Sequence, residues 1–150
     1  MNIRIPPPIQ TAIAAGIMLL IHKLLPLSLG YSIALSFLAV ICLILAAIFM
    51  FDAVAGFIRN KTTVNPLQPE KATTLVVSGV YRFTRNPMYL GMLLILLALA
   101  FFLGNLWNIA VIILYVWVIT RIQIVPEEQA LVKLFGEQYR AYCEQVRRWL

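Results

Sequence analysis

The stretch NPMYLGMLLILLALAFFLGNLWNIAVIILYVWVIT, running from Asn86 to Thr120, holds 35 residues without a single charge. As one helix it would be about 52 Å long at about 1.5 Å per residue, against about 30 Å of bilayer hydrocarbon. It is too long for one crossing, and a hairpin is the simpler solution. Gly104-Asn105, with Asn108 close by, is the turn-like punctuation in its middle. The reading is two helices, about residues 87–103 and 106–125.

Upstream, two more spans can be drawn. One covers about residues 9–25. The other, about 31–58, contains the charge-free run from Leu24 to Phe51 and is divided from the first by Pro26 and Gly30. The whole chain agrees with this picture. Of its 150 residues 62% are apolar and only 12% charged, and the mean hydropathy is +0.90. Soluble domains run at about 45–50% apolar and about 25% charged. Disorder, a nucleic-acid-binding tail protein and most ordinary soluble enzymes are excluded. The expected fold is an all-α integral membrane domain over residues 1–150. It has about four transmembrane helices, the last two a helical hairpin, and an amphipathic cytoplasmic helix at the C-terminal end. The opening Met1–Pro8, with one basic residue and three prolines, is not a good signal peptide, so the first span is expected to be retained.

Charge placement gives the orientation. The net charge is +6. With four spans, Arg4, Arg59, Lys61, Lys71, Arg82, Arg85, Arg121, Lys133, Arg140, Arg147 and Arg148 share one side and only Lys23 lies opposite. Basic residues collect on the cytoplasmic face, so both termini are expected there, in what reads as a bacterial inner membrane. The same rule accounts for the positive charge without a nucleic-acid partner.

The chain has one histidine, His22, and two cysteines, Cys42 and Cys143, with no CxxC or Cys/His cluster. No metal site or disulfide framework is expected. His22 reads as interfacial at the far end of the first span.

Chemistry is expected in two cytoplasmic segments. The connector, residues 59–86, ends in a dense polar run from Thr73 to Tyr89. Asn86 and Pro87 suit an N-cap and a first helical position. Free N–H groups at such a helix start can hold a carboxylate or phosphate, while Arg82 and Arg85 can equally serve topology alone. The second segment, 127–150, carries a helical stripe of Leu131, Phe135, Tyr139, Tyr142, Val146 and Trp149. Glu127 and Glu128 after Pro126 suit a helix start, or can accept hydrogen bonds from a ribose or amine. Asp52, an acid inside a span end, is either functional or paired with Arg59 or Arg85.

These residues also resemble a known family. Leu75-Val76-x-Ser78-Gly79-Val80-Tyr81-x3-Arg85-Asn86-Pro87-Met88-Tyr89-x-Gly91, followed by Glu127-Glu128-x2-Leu131-x3-Phe135-Gly136-x2-Tyr139-x2-Tyr142, is similar to the isoprenylcysteine carboxyl methyltransferases, which belong with bacterial phospholipid N-methyltransferase-like membrane proteins. The resemblance covers about residues 60–150. It implies S-adenosylmethionine (SAM) as cofactor. It implies that Thr73, Thr74, Leu75, Val76, Tyr81, Asn86, Pro87, Met88, Tyr89 and Glu127 surround that cofactor. It also implies a substrate-side arginine one turn before Glu127. That position is Gln123 here, and the nearest arginine is Arg121. Where the family commonly has Arg-His-Pro, this chain has Arg85-Asn86-Pro87.

Methyl transfer suits this inventory of side chains. It demands alignment above all, and a carboxylate acceptor needs no base. An amine acceptor would need one, with Glu128 or Asp52 as candidates. The expected reaction is transfer of a methyl group to a carboxylate or amine of a lipophilic, lipid-linked substrate. The competing readings are an NADPH-dependent membrane reductase of related architecture, a four-helix transporter and a non-catalytic membrane subunit.

Overall fold

The computed structural model describes residues 5–25, 27, 30, 32–60 and 73–150. Of the basic residues used above for orientation, Arg4, Lys61 and Lys71 lie outside these, as do Pro26, Tyr31 and the middle of the connector. Among the described residues the fold is all-helical. The helices are α1 (Pro7–Leu24), α2 (Ile33–Arg59), α3 (Pro87–Leu103), α4 (Asn108–Ile119), α5 (Val125–Phe135) and α6 (Glu137–Gln145). A 3₁₀ turn spans Gly79–Arg82, and a π turn, Thr120–Ile124, fuses α4 to α5. Among the described residues three helical stretches are long and apolar enough to cross a bilayer: Pro7–Leu24, Ile33–Arg59 and the fused Asn108–Phe135. The shorter apolar α3 completes the set. At 17 residues it sits at the lower end of the range of about 17–25 that spans hydrocarbon.

The hairpin turns where the sequence indicated. Gly104 ends α3 in the left-handed region (φ 56°), and its N–H closes on the Ala100 carbonyl at 2.9 Å. Asn105 then serves both ends of its amide. Its oxygen accepts the Trp107 N–H and its nitrogen donates to the Leu25 carbonyl, each at 2.9 Å. The turn is thereby tied to the end of α1. Farther along, Thr11 and Tyr115 share a hydroxyl hydrogen bond of 2.8 Å, and Gln123 donates to the Ile5 carbonyl at 2.7 Å. These contacts set α1 antiparallel to α4. They put Lys23 at the hairpin end of the bundle and the connector at the other.

Packing follows residue size. The buried positions of α2 are Ala39, Ala46, Ala53 and Gly56, the first three spaced by seven. Small side chains let helix backbones approach where lipid provides no hydrophobic drive. α3 uses the gap: a Cβ at Gly91 would collide with the Met50 side chain and come within 3.3 Å of the Ala46 carbonyl. A second cluster joins α1, α3 and α4 through Met18, Leu96, Tyr115 and Ile119. The remaining faces of α2 expose large apolar residues such as Phe37, Ile41, Ile44, Ile48 and Phe51, as a lipid-facing surface requires.

Two sequence expectations fail at the C-terminal end. Pro126 does not start a helix, because the fourth span continues through it. Proline lacks an N–H for the helical ladder, and the turn before it widens to π geometry. Nor is 127–150 one helix. Gly136, at φ 54° and ψ −125°, ends α5. α6 stops at Gln145, and Val146 is extended.

Candidate functional site

The site forms where the connector end of the bundle gathers four separate pieces of chain. From α2, Asp52 reaches out. Its Oδ2 accepts the Val80 N–H at 2.8 Å, and its Oδ1 pairs with Arg59 at 3.1 Å. Of the two partners considered from sequence, Arg59 is the one engaged. The pairing pins the 3₁₀ turn to the end of the span. Gly79, at φ +64°, makes this approach possible, since any Cβ there would strike the carboxylate. Gly56 does the same for Val76, whose Cγ1 lies 3.3 Å from where its Cβ would stand.

An apolar wall results. Ala53, Val76, Val80 and Tyr81 are buried together, with Phe49, Phe57 and Met88 packed against them. Tyr81 stacks edge-on to Phe57 at 5.5 Å. Its main-chain carbonyl accepts the Tyr142 hydroxyl at 2.6 Å, docking α6 on the turn. Burial pushes the Tyr81 phenol well above its usual range, and the charges of Tyr142, Glu127 and Asp52 push the same way. Burial does the same to Tyr139 and Tyr142.

The polar heart lies between α3 and α5. Tyr89, in the first turn of α3, donates its hydroxyl to Glu127 Oε1 in a short hydrogen bond. Its neighbour Glu128 is held by two guanidiniums: Arg85 at 3.3 Å and Arg148 at 2.7 Å. Arg85 and Glu128 are only 12% and 14% exposed, whereas the Asp52–Arg59 pair is 33% and 62% exposed. The inner pair therefore loses less of its attraction to solvent. Its hydrogen bonds hold Arg148 firmly in its charged form. A groove of about 380 Å³ runs along α5 beside Glu128, lined also by Val125, Gln129, Val132 and Lys133.

Asn86 behaves differently from the expected N-cap. It occupies the cap position, but its side chain makes no cap bond to α3. Nδ2 instead donates to the Arg148 carbonyl at 2.9 Å, while the Asn86 N–H is taken by Thr84 Oγ1 at 3.1 Å. Thr84, fully buried, also donates to the Arg148 carbonyl at 3.2 Å.

The structure therefore brings together Val76, Tyr81, Asn86, Met88, Tyr89, Glu127 and Glu128. Leu75 and Pro87 flank them on the same segments, and Thr73 and Thr74 are exposed at the start of the described connector. Arg121 is an exposed side chain on the π turn, and Gln123 is fully buried with its amide on Ile5. Thr84 and Arg148 were missed from sequence. The signal available was Gly136, which interrupts the helical stripe and frees the last fourteen or so residues to fold back.

The family model for phospholipid methyltransferase matches residues 34–138, more than half of the chain and all of the polar heart except Arg148. The chain belongs to the phospholipid methyltransferase family. It is thus a membrane methyltransferase by family, and the residues around Tyr89 and Glu127 lie inside the matched region. Over 63 residues it is 48% identical to an uncharacterised protein of Haemophilus influenzae, a stretch covering 42% of this chain and all of that one. Over 72 residues it is 33% identical to the protein-S-isoprenylcysteine O-methyltransferase of Schizosaccharomyces pombe. That match takes in 48% of this chain and 30% of the yeast protein. No solved structure matches the chain.

Proposed function

We propose that this phospholipid methyltransferase family member is a SAM-dependent enzyme that methylates a carboxylate or amine of a lipophilic acceptor drawn from the bilayer. The observation that carries the reading is the Tyr89–Glu127 hydrogen bond. It joins two halves of a motif 38 residues apart, beside an apolar aromatic wall. The donor set suits the cofactor. A carboxylate can accept ribose hydroxyls, and buried Val76, Tyr81 and half-buried Met88 offer an adenine an apolar face. Thr73, Thr74, Leu75, Asn86 and Pro87 complete the proposed surround.

When bound, SAM supplies an activated methyl group. The protein's part is to position and to exclude water. The exposed Arg121 is the cation we assign to an anionic acceptor. Both oxygens of Glu128 are engaged by guanidiniums. That suits it to anchoring the site better than to accepting a proton, and favours a carboxylate acceptor, which arrives ionised. We further infer that the connector end faces the cytoplasm, because Arg59, Arg82, Arg85, Arg121, Lys133, Arg140, Arg147 and Arg148 gather there and Lys23 lies at the other end.

Calorimetric titration of the detergent-purified protein with SAM, S-adenosylhomocysteine and NADPH tests the reading. Saturable binding of SAM or its product, weakened by Glu127→Gln, is expected. Binding of NADPH alone would replace it with a reductase, and binding of none would remove the cofactor assignment.

A further inference from the structure

Val146 leaves α6 in an extended conformation (φ −125°, ψ 131°), and the residues after it cross back over the site. The Arg147 carbonyl accepts the Arg85 N–H at 3.0 Å. The Arg148 carbonyl accepts from both Thr84 and Asn86. The Arg148 guanidinium forks onto Glu128, with Nε 3.0 Å from Oε1 and Nη2 2.7 Å from Oε2. Trp149 donates to Thr120 Oγ1 at 3.3 Å and packs against the α1–α3–α4 core. One residue thus grips the connector by its main chain and α5 by its side chain.

The grip falls beside the chemistry. Thr84 and Asn86 precede the first turn of α3, which carries Tyr89. Glu128 adjoins Glu127. The Tyr89–Glu127 contact therefore spans two segments whose spacing is set one turn away by Arg148 and, from the same carboxylate, by Arg85.

We propose that Arg148 is a positioning residue for methyl transfer, holding α5 and the Thr84–Asn86 turn in the register that lets Tyr89 meet Glu127. The proposal rests on the methyltransferase reading of this site. A planar two-bond fork onto a carboxylate is specific to arginine, so lysine cannot replace it.

The test uses the full chain in detergent, with Arg148→Ala, Arg148→Lys, Glu128→Gln and the Arg148→Ala/Glu128→Gln double variant. Three quantities are read: S-adenosylhomocysteine affinity by calorimetry, melting temperature, and hydrogen–deuterium exchange across residues 84–90. Each single variant is expected to weaken binding roughly tenfold and to speed exchange at 84–90, with exchange in the body of α3 unchanged. The double variant should lose no more than Glu128→Gln alone, because the Arg148 side chain acts through that carboxylate. Undiminished affinity in Arg148→Ala, additive losses in the double variant, or full rescue by lysine would each overturn the proposal. Should the alanine variant fail to fold, the lysine variant decides alone. If the wild type binds neither SAM nor its product, the cofactor reading fails and the assignment to methyl transfer goes with it. Faster exchange at 84–90 in Arg148→Ala would still establish the mechanical link, which separates the two failures.

Discussion

The Asp52 carboxylate occupies the space that a side chain on Gly79 would need. Oδ2 takes the Val80 N–H at 2.8 Å, and a Cβ on Gly79 would fall 3.2 Å from the carboxylate carbon and closer still to that oxygen. Gly79 also holds φ +64°, where an L side chain is strained. Gly79→Ala should therefore cost about 1–3 kcal/mol and loosen the apolar wall carried by Val80 and Tyr81. Thermal unfolding of Gly79→Ala alone and combined with Asp52→Ala checks this. The steric part of the loss should disappear in the double variant, and a melting temperature unchanged by Gly79→Ala would refute the account.

A parallel argument applies within the bilayer. Gly91 sits against Met50 and the Ala46 carbonyl, so Gly91→Val should overpack the α2–α3 seam by about 1–3 kcal/mol. Met50→Ala should recover part of that, since the obstructing atoms belong to its side chain. Equal melting temperatures for Gly91→Val with and without Met50→Ala would show that the seam is not the cause.

At the site, Tyr89→Phe removes the hydrogen bond to Glu127, and Glu127→Gln removes the charge that strengthens it. Each should reduce SAM affinity about tenfold while leaving the melting temperature nearly unchanged. Arg121→Ala should lower turnover of an acceptor and spare cofactor affinity. Calorimetry on the three variants separates the roles, and equal loss of SAM binding in all three would contradict them.

The buried phenols give a pH dependence of definite sign. Tyr81, Tyr139 and Tyr142 have pKa values raised in the fold, chiefly by burial, while an unfolded tyrosine ionises near about 10. Their contribution to stability is complete below about pH 10 and is lost as pH rises toward their folded values. From these phenols the melting temperature should fall on the alkaline side. Tyrosinate absorbance from these three should appear together with unfolding, and free titration of all six tyrosines in the folded protein would defeat the prediction. Tyr142→Phe should flatten the alkaline fall, although it gives up the bond to the Tyr81 carbonyl.

The orientation is open to direct labelling. In a cysteine-free background, Lys23→Cys should react with an impermeant maleimide from outside the cell. Arg140→Cys, an exposed position on α6, should react only after the inner membrane is opened. The reverse pattern would invert the topology.

Much of this molecule was legible in its residues because membranes make simple demands. A charge-free run longer than one crossing had to fold back, and Gly104-Asn105 was the place to do it. α3 begins and ends at the residues expected, since Pro87 and Gly104 are unambiguous signals. The Asp52–Arg59 pairing was among the alternatives that spacing offered, and the structure selects it. What spacing could not reveal was long-range satisfaction of polar groups. Asn86 looked like a cap because asparagine usually bonds its own helix, yet a carbonyl from residue 148 offered its amide a better partner. The apolar stripe after Glu127 looked continuous because periodicity does not register a positive φ at Gly136. The π turn was invisible for a related reason: it changes the helix by one residue per turn and leaves the composition untouched.

That turn has a consequence for the azimuth of everything beyond it. A helix advances about 100° per residue, so the wider turn at Thr120–Ile124 swings Glu127 and Glu128 by nearly that much relative to Asn108, Val111, Tyr115 and Ile119. The long helix carries two headings on one axis. The first half keeps its bearing toward α1 and α3, and the second aims two carboxylates at Tyr89, Arg85 and Arg148. Straightening that turn into plain α-helix with all its residues kept would leave every contacting side chain present and point the acidic pair the wrong way.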